Sequence, residues 1–164
     1  MVVDTMTTLR RELREPRAGM SPNEPRLLTI ALPLYFVWEM LQRPALTGLP
    51  DEGLTPVWLC GLAAVGDAVA VLLAYAVGCW IFRSTAWFRR PTVRRYAAIV
   101  GVTLAIQVVV EWVGVHRLGV WGYSPSHPVV PGLGVGLAAV LQSLVIPPLV
   151  FWLASRSITR PARG

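Results

Sequence analysis

Three acids stand where the surrounding sequence should exclude them. Glu39, Asp67 and Glu111 each fall inside a long hydrophobic run, and a charged side chain at the centre of a bilayer costs roughly 2.5–3.5 kcal/mol on insertion scales. Desolvation and mutual repulsion both favour the protonated carboxyl, and a carboxylic acid kept neutral in apolar surroundings is a good general acid. These three are the candidate catalytic residues. Gln42 and Arg43 follow Glu39 at helical spacing and share its face, and Gln107 lies one turn from Glu111. An Arg43–Glu39 pair would hold Glu39 ionised and leave Asp67 or Glu111 as the better proton donor. Gln142 falls at a similar level in the last apolar run. The amides Gln107 and Gln142 have a plainer use as hydrogen-bonding glue between helices, whereas glue alone rarely needs a carboxyl group.

The elements that position these residues follow from the hydropathy pattern. Residues 1–25 are polar and read as a tail with a short helical turn around residues 5–15. Apolar spans follow at about 27–42, 57–82, 96–115 and 132–154, within a membrane domain of residues 26–155, and residues 156–164 form a basic tail. A bilayer core of about 30 Å needs roughly 20 helical residues. The first span is short and needs Arg26 and Gln42 to reach both interfaces. Pro33 and Glu39 within it, and the lack of a small-residue cleavage site, favour a retained helix over a cleaved signal. The runs are continuously apolar rather than alternating, which argues against a β-barrel. The expected fold class is all-α: a polytopic membrane protein, a four-transmembrane-helix bundle.

The charge distribution sets an orientation. The 164 residues are 54% hydrophobic and only 15% charged, with a net charge of +6, too apolar for a soluble domain and without a basic face for nucleic acid. Every basic residue is arginine. Five precede the first span, five lie between the second and third, and three follow the fourth; only Arg43 and Arg117 fall in the other two loops. The positive-inside rule then puts both termini in the cytoplasm. Counted along each helix at about 1.5 Å per residue, all three acids lie between the midplane and the outer face, so a polar cluster is expected near the outer side. Trp58, Trp80, Trp87, Trp112, Trp121 and Trp152 fall near span ends, where amphipathic rings are favoured.

The loop from Arg117 to Gly132 is the second unusual feature. Gly122, Pro125, Pro128, Pro131 and Gly132 forbid a regular helix, so the loop is expected to be a lid or partly re-entrant plug, or else a stiff interfacial connector. Trp121, Tyr123 and His127 on it join Gln42, Arg43, Gln107 and Gln142 as candidate substrate-binding residues. His116, His127 and Glu111 are too scattered to assign a metal site, and no cofactor is assigned. Gly132, Gly134 and Gly136 open the fourth span and read as places of close packing or close substrate approach. Pro147 and Pro148 should kink or loosen it. Cys60 and Cys79 lie about 28 Å apart along one helix, too far to bridge.

As a set, Trp38-Glu-Met-Leu-Gln-Arg-Pro44, Gly66-Asp-Ala68, Glu111, Trp121-Gly-Tyr-Ser-Pro125, His127-Pro-Val-Val-Pro-Gly-Leu-Gly-Val-Gly-Leu137 and Leu141-Gln142 resemble a family of small bacterial four-span integral membrane proteins with no assigned activity. The resemblance covers about residues 30–150. It implies the four-span architecture and the bacterial plasma (inner) membrane, and carries no activity with it. Small membrane enzymes that cyclise or isomerise isoprenoids and sterols through buried acids are similar in chemistry only. Three functions are expected to compete: acid catalysis on a lipid or isoprenoid, proton- or cation-linked transport, and a non-catalytic membrane subunit. The expected partners are membrane lipids, a second copy of the chain or another membrane protein.

Overall fold

In a computed structural model, residues 21–90 and 92–156 are described. The expected helical turn at residues 5–15, the arginines before residue 21 and the basic tail after Arg156 lie outside them. Four helices dominate: α1 (Asn23–Gln42), α2 (Thr55–Phe82), α3 (Val93–Trp112) and α4 (Leu137–Arg156). Each packs against its neighbour in chain order and α4 closes on α1, giving a four-sided bundle. Three of these helices are long and apolar enough to cross a membrane: α2, α3 with its extension to Arg117, and α4. α1 is as long as α4 but less apolar, and begins at Asn23, inside the expected tail.

α1 buries Asn23, Leu27, Ala31, Tyr35 and Glu39. Each stands four residues after the last, so one narrow ridge faces the bundle and its last member is an acid. α2 buries mostly small residues, Cys60, Ala64, Ala68, Ala70, Val71 and Ala74 among them, which lets its neighbours approach closely. Its opposite face is apolar and bare: Trp58, Leu62, Val65, Val69, Leu73 and Trp80 are all exposed. A soluble monomer rarely shows such a face. Trp58 and Trp80 bracket about 33 Å of helix, close to the hydrocarbon thickness.

At the end of the bundle carrying the α2–α3 loop, Trp87 is buried at 1% exposure. Its ring stacks on Phe82 at 5.3 Å and meets Phe151 at 5.4 Å, and its Nε1 donates to the Tyr75 carbonyl at 3.2 Å. Trp87 is therefore a core residue and not the interfacial ring expected; the loop folds back between the helices and carries it inside. Gly78 makes the room, since a Cβ there would lie 2.1 Å from the indole. Asn23 Nδ2 donates to the Tyr75 hydroxyl at 3.1 Å and to the Thr85 carbonyl at 3.0 Å, tying α1 to the same knot.

At the other end, the α1–α2 and α3–α4 loops join in a two-stranded antiparallel ribbon, β1 (Leu46–Thr47) with β2 (Gly122–Tyr123), in the register Leu46 to Tyr123. α3 widens into a π turn at Val113–Arg117 before entering its loop. The fourth helix starts at Leu137, five residues later than expected. Gly132 and Gly134 take positive φ, and Gly136 pairs with Val129 across a bridge, so this glycine run folds as a turn. α4 continues through Pro147 and Pro148.

Candidate active site

The three acids approach one another beneath the ribbon. Glu39 closes the buried ridge of α1, Asp67 comes from the middle of α2, and Glu111 from the last turn of α3. Glu39 and Asp67 line the same cavity and interact with each other; a hydrogen bond between two carboxyls would need a proton on one of them. Gln142 reaches across from α4, and its Nε2 donates to Asp67 Oδ2 at 2.6 Å. Gln42 Nε2 donates to Glu39 Oε1 at 2.8 Å. Each carboxyl of the pair is thus held by one amide. Gln142 is 1% exposed and its Oε1 has no partner.

Above the pair lies a cavity of about 340 Å³, bounded by Glu39, Asp67, Gln107, Glu111, Arg43 and Trp121 among polar and aromatic groups, with walls of Leu59, Cys60, Ile106 and Val110. This is at the small end of the usual range for ligand sites, whose apolar walls and few convergent polar groups it shares. Tyr123, His127 and Gln142 lie outside the lining and act on it from behind. Cys60 is on the wall, Cys79 sits far down α2, and both are free thiols.

Arg43 does not pair with Glu39. Its Nη2 reaches the Leu49 and Pro50 carbonyls at 3.2 and 2.9 Å and Asp51 at 3.3 Å. The chain turns at Arg43–Ala45 into a 3-10 segment, and this swings the side chain up to clasp the α1–α2 loop. Gln42, on the last turn of α1, takes the place expected for the arginine.

Glu111, 8% exposed, accepts a hydrogen bond from the Tyr123 hydroxyl, which itself accepts from the Gly136 amide at 2.8 Å. Burial, together with the Glu111 hydrogen bond and charge, pushes the Tyr123 phenol above its ordinary pKa, so it stays a donor. His127 stacks flat on Tyr123 at 5.0 Å, and His116 Nε2 lies 3.0 Å from the Gly134 carbonyl. Among the described residues no three His, Cys, Asp or Glu side chains converge on a metal-sized point. Gly136 is required by close approach, because a Cβ there would meet His127 at 2.7 Å and Tyr123 at 2.9 Å. Trp121 roofs the cavity with its ring against Gly114.

Tyr123→Phe would leave the Glu111 carboxyl and the Gly136 amide without their shared partner. The expected loss is about 1–3 kcal/mol of stability, read as a lower Tm in detergent, and an unchanged Tm would show the bridge to be dispensable. Compared with family models, curated proteins and solved structures, the chain matches none.

Proposed function

We propose that this is a four-span protein of the bacterial plasma membrane that performs acid catalysis on a lipid or isoprenoid substrate. The orientation follows from the arginines, which favour cytoplasmic termini and put the ribbon and cavity on the outer side. The motifs around Glu39, Asp67, Glu111 and Trp121 support membership of the small bacterial four-span family. The observation that carries the reading is the Glu39–Asp67 pair, each carboxyl held by an amide, at the edge of an apolar cavity. In this reading the two carboxyls, sharing one poorly solvated site, hold a proton between them. That proton passes to a double bond, or to an epoxide oxygen whose C–O bond opens to a hydroxyl, and the resulting cation returns a proton from a neighbouring carbon to the carboxylate. The balance is an isomerisation or cyclisation with no co-reactant.

Packing disfavours the transport alternative. Below the pair the bundle is filled by Tyr75, Trp87, Phe88 and Phe151, all 5% exposed or less, which opposes a continuous path. The test is the lipid profile of membranes that overproduce the protein or its Asp67→Asn variant. A product present with the first and absent with the second is expected; identical profiles would overturn the reading.

A further inference from the structure

The cavity has two unlike boundaries. Toward the ribbon it is lined by half-buried Leu46, Leu49 and Trp121 and by Val120, 47% exposed, under a loop that Arg43 pins. Between α2 and α3 it is bounded by residues that are themselves on the surface. Leu62 is 71% exposed and Val110 49%, and Ala63 and Gly66 are exposed as well. A Cβ on Gly66 would meet nothing within 4 Å. Leu59, Ala63, Gly66 and Ala70 line the cavity from one face of α2, and Leu62 at its edge continues the bare apolar face between Trp58 and Trp80. Gly66 is eight residues below Trp58, about 12 Å along the helix, at the level of the upper acyl chain.

The polar groups near this opening have donors to spare. The Gln107 side chain, on the wall, makes no hydrogen bond among the described residues, and Trp121 Nε1 and Arg43 Nε are buried without partners. They ask for an oxygen acceptor. An anionic head would meet Glu39, Asp67 and Glu111 against one arginine already engaged by Asp51. A cationic head would hold the acid pair ionised.

We propose that the cavity is loaded sideways from the bilayer through the α2–α3 gap, and that its occupant is an uncharged single-chain lipid carrying an oxygen function, of the class of long-chain or prenyl alcohols, aldehydes and epoxides. The oxygen sits under Trp121 and Gln107 while the rest of the chain trails through the gap, since the cavity itself holds only the head region. The choice of an uncharged head rests on the acid-catalysis reading above; the sideways entry does not.

The experiment uses the full chain in phosphatidylcholine–phosphatidylglycerol vesicles containing a long-chain alcohol with a diazirine in its chain. After irradiation, adducts are expected on Leu62, Ala63, Gly66 and Ala70 of α2 and on Ile106 and Val110 of α3, and unlabelled farnesol-type alcohol should compete where its phosphate ester and a quaternary amine do not. Gly66→Phe should lower labelling about tenfold, equivalent to roughly 1.4 kcal/mol, and Leu62→Trp at the rim should lower it too. Val69→Trp, on the bare face away from the cavity, should change nothing and serves as the folding control. Asp67→Asn should keep its labelling while its lipid product is lost, so failure of the acid reading and failure of this one give different results. Adducts spread evenly along Val65, Val69 and Leu73, indifference to Gly66→Phe, or stronger competition by the charged lipids would overturn the proposal.

Discussion

Asp67→Asn and Glu39→Gln are each expected to lower turnover about 10²–10⁴-fold, the usual contribution of a positioned general acid, and the double variant is expected to lose hardly more. The reason is the shared proton. Glu39 and Asp67 line one cavity, so removing either carboxyl removes the pair proposed to give the proton and take it back, and groups acting as one unit are strongly non-additive. Both amide variants keep the volume and a hydrogen-bonding oxygen, so Gln42 and Gln142 retain an acceptor and the fold is preserved. Glu111→Gln should be far milder, because an amide oxygen still accepts from Tyr123. The measurement is product formed per unit of protein in lipid extracts of the four variants. Independent, multiplying losses from Glu39 and Asp67 would show that the two acids work apart.

The second large effect belongs to the fold. Trp87→Ala should cost about 3–5 kcal/mol, the range for truncating a buried aromatic, and it should also free the Tyr75 carbonyl that the indole now satisfies. Gly78→Leu should produce a loss of similar kind by the opposite route, since the indole lies where its Cβ would go. Both variants should unfold at lower temperature in detergent while the distant acids stay together. A Trp87→Ala protein as stable as the original would mean that the loop does not seat between the helices.

The residues of the candidate site are largely legible in sequence because a carboxyl in hydrocarbon is costly and therefore conspicuous. Glu39, Asp67 and Glu111 announced themselves, and helical spacing put Gln107 near Glu111. The cavity walls did not, because Leu59, Ala63, Gly66 and Val110 look like any other membrane-helix residues, and only the packing of α2 against α3 leaves a gap beside them. Arg43 illustrates the limit of spacing arguments: four residues from Glu39 predicts a pair only if the helix continues, and it ends at Gln42. Trp87 was misplaced for a related reason. An arginine-rich loop reads as interfacial, and nothing local shows that Gly78, nine residues earlier, has cleared a slot for the ring.

The hydroxyl of Tyr123 joins two elements at a single atom, donating to the end of α3 and accepting from the amide just before α4. An excursion that carries Tyr123 away from both partners costs about 1–3 kcal/mol if each bond contributes its usual 0.5–1.5. The backbone amide of Gly136 then exchanges with solvent deuterium only during such excursions. Its protection factor is a direct gauge of how often the roof lifts, and it can be read without knowing what the cavity holds.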